Sequence, residues 1–217
     1  MISQTELLEG ICDICVRLHG RNLLAAGDGN ISLLLEDGRV VITPTGVSKA
    51  RLKPADMAFL NLDGSVISGR PSTERLMHLA VYRACPKARS VVHAHPPTAI
   101  AWTVARPELH DLPSEGLPEV ILAAGRIPVV PYARPGTEGM GMALLPYLPQ
   151  HRLLLLARHG ALCWGEDLEE AYLGIERLEH VAQILKFAVE LGGISSMEPL
   201  ELAALREARE KRGPRIL

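Results

Sequence analysis

The apolar residues Leu7, Leu8, Ile11, Ile14, Cys15 and Leu18 recur every three or four positions, and this spacing predicts an amphipathic helix over residues 3–20. The pattern then changes. A glycine-rich turn leads to a strand at 31–35, an "EDG" hairpin turn and a strand at 39–43. The pattern repeats with a strand near 57–62, a "DG" turn and a further strand. "RPSTERLMHLAVYRACP" reads as a helix with Ser72 or Thr73 as N-cap and Pro86 at its end. "SVVHAH" (90–95) reads as a strand and "PTAIAWTVA" (97–105) as a helix. The apolar, proline-rich "LPEVILAAGRIPVVPYA" supplies strand candidates, and "EGMGMALLPYL" a short helix. "HRLLLLARHGALCWG" reads as two strands, or one bent strand, around His159-Gly160. Asp167 to Glu170 form a capping box before a long helix to about residue 191, and the charged tail from about residue 203 has a loose end. Hairpins first, then strands alternating with helices, predict an α/β protein with a mixed, largely antiparallel sheet and helices on its faces.

Composition narrows the class. The chain has 217 residues, 47% of them hydrophobic, which is enough for one domain with a substantial core. Its formal net charge of −2 gives no reason to expect nucleic acid or an anionic membrane surface as partner. The longest aliphatic run, "LLLLA", is far short of a membrane span, and the N-terminus carries no signal-peptide pattern. The expected location is cytoplasmic. Of the four cysteines, Cys12 and Cys15 form C-x-x-C, but they lie within a helical pattern with no second pair for zinc, so they read as helix-face residues. No G-x-G-x-x-G and no P-loop is present.

The chemistry-bearing candidates begin with His93 and His95. They flank one alanine in a predicted strand, so both imidazoles point to one face and form half of a metal site. Among eight histidines, His159 is the candidate for a third ligand. It follows an apolar strand, and an unpaired polar group there would cost about 2 kcal/mol or more. A core histidine bonded to a carbonyl is the plainer reading of His159. Glu74 lies in the first turn of the helix that feeds the H-x-H strand. It could approach a metal from a second element, or simply complement the helix dipole. His78 lies four residues on, either supporting the site or packed. "GDGN" (27–30), "TPTG" (43–46) and Ser72-Thr73 are turns of small donors suited to an anion such as phosphate, though each is common alone.

Taken in order, "GDGNIS", "ITPTG", "PSTE", "VVHAHPP", "PYARPGT" and "ARHGAL" resemble the class II aldolase/adducin family, and within it the bacterial L-fuculose-1-phosphate aldolases. The resemblance runs from about residue 5 to 190. It implies a single three-layer α/β/α domain around a central nine-stranded antiparallel sheet, and a homotetramer. It implies one zinc ion per subunit on His93, His95 and His159, with Glu74 as a further ligand in the free enzyme and as the catalytic base. It places a sugar phosphate on Gly29, Asn30, Thr45, Gly46, Ser72 and Thr73, the last usually serine in the family. The implied reaction is cleavage of a ketose 1-phosphate, with L-fuculose 1-phosphate expected, to dihydroxyacetone phosphate and L-lactaldehyde through an enediolate.

Two departures bear on the substrate. The fuculose-phosphate aldolases carry a tyrosine near the subunit junction that helps protonate the aldehyde oxygen; Glu119 aligns there. They carry another in the C-terminal tail, and "LREAREKRGPRIL" has none. The resemblance therefore leaves other family reactions open. A methylthioribulose-1-phosphate-type dehydratase uses a glutamate near Glu119. A decarboxylase of a phosphorylated keto acid is another. Pentulose-phosphate epimerases typically have Asp in place of Glu74. The adducin heads, a binding module, lack the metal histidines.

Overall fold

The structure, a computed structural model, describes residues 3–216. All eight strands among these residues join one sheet: β1 (Asn30–Leu34), β2 (Val40–Ile42), β3 (Ala58–Leu60), β4 (Val66–Ser68), β5 (Ser90–Ala94), β6 (Val129–Val130), β7 (Leu153–Leu156) and β8 (Gly160–Gly165). The order is β4-β3-β2-β1-β5-β8-β7-β6. Every pairing is antiparallel except β6 with β7. Seven α-helices accompany it: α1 (Gln4–Gly20), α2 (Arg75–Ala84), α3 (Pro97–Ala105), α4 (Pro118–Ala123), α5 (Glu138–Leu144), α6 (Leu168–Glu190) and α7 (Pro199–Arg212). Among the described residues, no helix is long and apolar enough to cross a membrane.

Alternation along the strands divides the core into two layers. Ile31, Leu33, Val92, Ala94, Ala161 and Cys163 face the cluster that includes α1 and α6. Val40, Ile42, Val91, Leu162 and Trp164 face the cluster that includes α2 and α5. His93 shares the second face with Val91, and it sits in β5, which pairs on both sides, with β1 and β8.

Several expectations change. The resemblance implies nine strands; the described residues form eight. "LPEVILA", a strand candidate, is helix α4, because Pro118 stands at the first helical turn where its missing N–H costs nothing. Further along the same stretch, pairing consists of the two-residue β6 on β7 and an isolated bridge between Asp111 and Pro128. Neither Ser72 nor Thr73 caps α2. The N-cap is Glu74, and Ser72 Oγ, two residues earlier, accepts from the Glu74 N–H at 3.2 Å.

The capping box at 167–170 is half formed. Asp167 accepts from the Glu170 N–H at 2.8 Å, but the Glu170 carboxylate is engaged elsewhere. It accepts from the Glu166 N–H (2.8 Å), from Arg152 (2.7 Å) and from the Ile216 N–H (2.9 Å). Residues 215–216 are docked: Arg215, after α7, pairs with Asp167, and Ile216 is buried.

Arg152 and Glu170 are both buried, and the Arg152 guanidinium lies 4.5 Å from the Trp164 ring centroid. Removing Arg152 leaves the buried Glu170 carboxylate with only the more exposed Arg215, whose Nε lies 3.2 Å away, as a cation. Arg152→Ala is expected to lower unfolding free energy by about 3–5 kcal/mol. Urea titration checks this, and a loss below about 1 kcal/mol would show that Arg215 alone compensates Glu170.

Candidate active site

His93 is the fixed point of the site. Its backbone pairs with Asn30 of β1 and Leu162 of β8, its side chain is fully buried, and its Nδ1 lies 2.8 Å from the Ala161 carbonyl oxygen. A carbonyl only accepts, so Nδ1 carries the proton and the Nε2 lone pair points away from it. His95 follows the end of β5, where its N–H bonds the Leu23 carbonyl at 2.8 Å. Its Nε2 lies 3.1 Å from His93 Nε2. His159 arrives from the three-residue turn between β7 and β8. Arg158 there adopts φ 59°, and its N–H bonds Thr103 Oγ1 at 2.8 Å. The turn sets His159 Nε2 3.0 Å from His93 Nε2.

Gly160 makes this approach possible. A Cβ there would lie 2.6 Å from the Ala94 carbonyl oxygen, 2.8 Å from His93 Cε1 and 2.9 Å from His95 Cδ2. Gly29 has a comparable duty behind the strand: its φ is +68°, and a Cβ would meet the His93 carbonyl oxygen at 2.8 Å.

Glu74 enters from the start of α2. Its Oε1 lies 3.1 Å from His159 Nε2 and its Oε2 3.4 Å from His93 Nε2. Asn30 Nδ2 donates to Oε2 at 2.9 Å, whereas Oε1 is buried without a well-directed hydrogen bond. Burial works to raise the Glu74 carboxyl, but the adjoining His159 and His93 rings and the Asn30 amide outweigh it and hold the group well below the usual carboxylate range. His95 is pushed down to about 3, chiefly by burial and then by His93 and His159.

Three ring nitrogens that lie within 4.8 Å of one another, beside an orphaned carboxylate oxygen, suit a divalent cation. Lone pairs packed this closely repel unless a cation or a proton lies between them, and the His93 lone pair can accept from only one neighbour.

The residues expected to hold a phosphate lie beside this cluster. Gly29, Asn30, Thr45, Gly46, Ser72 and Thr73 line one cavity of about 430 Å³ together with Glu74, His95 and His159. Four further features join them, of which Lys49 had no sequence signal. Lys49 is buried and donates to the carbonyls of Gly27 (2.8 Å), Pro44 (3.2 Å) and Val47 (3.0 Å), tying the "GDGN" and "TPTG" turns together. Gly136 adds the "PYARPGT" turn to the wall. Asp28 Oδ2 lies 3.7 Å from His95 Nδ1. His78, fully buried under α2, contacts Asn30 and Ser32, so it supports the site as well as packing. A larger cavity of about 750 Å³, bordered by α4 and α7, lies apart from these residues, and two ion pairs line it, Arg126 with Asp111 at 2.5 Å and Arg206 with Glu115. Glu119, on α4, is exposed and is not part of the cluster in one chain.

The class II aldolase and adducin N-terminal domain matches residues 9–185, and the chain belongs to that family. It is 35% identical over 188 residues to 3-oxo-tetronate 4-phosphate decarboxylase of Escherichia coli K12, covering 84% of this chain and 87% of that one. It is 31% identical over 171 residues to L-fuculose phosphate aldolase of Methanocaldococcus jannaschii, covering 79% and 91%. The crystal structure of YgbL from Escherichia coli superposes with a TM-score of 0.87 at 32% identity, covering 94% and 99%.

Gly160→Ala is expected to abolish metal uptake, because backbone and both β5 imidazoles block the methyl group; dialysis against a divalent cation followed by elemental analysis reads this out. A second expectation concerns acid. Burial pushes His78 down to about 3, with His93 adding to the effect. The unfolded chain takes up that proton near pH 6.5, whereas the folded chain excludes it until about pH 3. Stability is therefore present above pH 6.5 and lost as pH falls toward 3, with His78 contributing about 1.4 kcal/mol per pH unit. Urea midpoints across this range check it, and His78→Gln is expected to flatten the slope.

Proposed function

We propose that this protein is a metal-dependent lyase that decarboxylates a phosphorylated 3-oxo acid of the 3-oxo-tetronate 4-phosphate class. What the chain lacks carries this reading. The family's aldehyde-protonating tyrosines have no counterpart at Glu119 or in the tail, and α7 and the residues after it contain no tyrosine. Loss of carbon dioxide needs no proton at a leaving oxygen, whereas release of an aldehyde is helped by that acid–base chemistry. The 35% identity to the decarboxylase supports the same reading.

The chain's residues suit the reaction. The phosphate occupies the cradle of Gly29, Asn30, Thr45, Gly46, Ser72 and Thr73, whose backbone amides and hydroxyls are donors. The bond between the carboxylate carbon and its neighbour breaks, carbon dioxide leaves, and the electron pair stays behind as an enediolate. Glu74 passes a solvent proton to the carbon that lost the carboxylate, which gives dihydroxyacetone phosphate. Zinc held by His93, His95 and His159, with Glu74 as a further ligand before substrate enters, would supply Lewis acidity for the enediolate charge. The tetramer implied by the family resemblance is part of this proposal, since it would bring a neighbour's surface to the open side of the cavity.

Cleavage of L-fuculose 1-phosphate is the second reading. It shares the enediolate, and the 31% identity to the archaeal aldolase favours it. A coupled assay for dihydroxyacetone phosphate separates the two. The expected result is chelator-sensitive release from 3-oxo-tetronate 4-phosphate without an aldehyde, and little from L-fuculose 1-phosphate. The opposite preference would assign the aldolase reaction. Glu74→Gln is expected to keep its metal and lose roughly 10²- to 10⁴-fold in turnover, measured in the same assay.

A further inference from the structure

A buried row of side chains runs from Tyr82 to Glu74 and, Asn30 apart, takes no part in the chemistry above. Tyr82 and His78 come from α2, Ser32 and Asn30 from β1. Ser32 Oγ lies 2.7 Å from the Tyr82 hydroxyl and 2.7 Å from His78 Nδ1. His78 Nε2 bonds Asn30 Oδ1, and Asn30 Nδ2 donates to Glu74 Oε2 at 2.9 Å. All four side chains are buried, and His78 and Ser32 have no exposed surface.

Donor and acceptor roles follow from one end. The Glu74 carboxylate only accepts, so Asn30 must present its NH₂ there and its carbonyl oxygen to His78. His78 Nε2 must then carry the proton. In the neutral ring Nδ1 becomes the acceptor, so the Ser32 hydroxyl donates to it. Ser32 Oγ, its proton committed, accepts from the Tyr82 hydroxyl. Every donor in the row points toward Glu74, an arrangement in which each bond polarises the next.

From this we infer that His78 is a positioning residue for proton transfer. It locks the Asn30 amide in the orientation that donates to Glu74 Oε2, and so leaves Oε1 as the oxygen that carries the proton. Asn30 could otherwise turn its carbonyl toward the carboxylate, which would repel it. Ser32 and Tyr82 serve by fixing the His78 tautomer. The inference rests on Glu74 being the proton-transfer group. It is independent of whether the substrate is a 3-oxo acid or a ketose phosphate, because both readings end in the same protonation.

The test is deuterium exchange into dihydroxyacetone phosphate, followed by proton NMR in zinc-loaded protein. His78→Leu is expected to lower the kcat of exchange about 10- to 100-fold, a scale typical of a misplaced catalytic group, with KM and metal content unchanged. His78→Gln is expected to recover most of the loss, since its side-chain NH₂ can donate to Asn30 Oδ1. Ser32→Ala, a smaller change for use should His78→Leu fail to fold, is expected to lose roughly 3- to 10-fold with kcat alone affected. Wild-type exchange in Ser32→Ala, or a loss in His78→Leu that His78→Gln does not reduce, overturns the inference. Full exchange by Glu74→Gln overturns the assignment of Glu74 itself, and the inference with it.

Discussion

Three imidazole nitrogens and a carboxylate converge where the central strand ends and the next hairpin turns, and this crowding governs the rest of the site. His93 Nε2 lies 3.1 Å from His95 Nε2 and 3.0 Å from His159 Nε2, with Glu74 Oε1 3.1 Å from His159. Such an arrangement is costly unless a cation or protons are shared among the groups. The fold resists their separation at three places. The pairing of β5 with β1 and β8 fixes His93, the glycine at 160 lets the hairpin approach, and the Asn30 amide holds Glu74.

The same face of the sheet also determines what surrounds the metal cluster. On β1, Asn30 and Ser32 alternate with the core residues Ile31 and Leu33, so the strand presents a polar edge to α2 and an apolar one to α1 and α6. That edge meets His78 and Tyr82 from the same helix that brings Glu74. Lys49 performs a related task at the cradle, where one buried ammonium holds three carbonyls from two turns. The site is thus supported from below by residues that are themselves fully hydrogen-bonded, which favours a preorganised geometry.

Much of this was legible in the sequence, and the reasons are local. The H-x-H pair, the apolar run before His159 and the helix periodicity of residues 3–20 are patterns with short range, and they correspond to β5, β7–β8 and α1. Long-range choices were less visible. The "LPEVIL" stretch is apolar enough for a strand, but a proline at the first turn made it a helix. Glu170 read as a capping partner until its contacts with Arg152 and the Ile216 N–H, which no local pattern encodes. Lys49 and the row from Tyr82 to Asn30 join residues far apart in the chain, so composition and spacing could not reveal them. The family resemblance carried the phosphate residues, and the cavity groups them beside the histidines.

The most direct test of the central claim is the metal content of the protein purified without chelator, by elemental analysis, set against a His93→Ala variant. The account predicts about one divalent ion per chain, with zinc preferred, and loss of that ion in the variant. A folded wild-type protein that neither carries a divalent ion nor takes one up would contradict it, and the four converging groups would then need a different explanation.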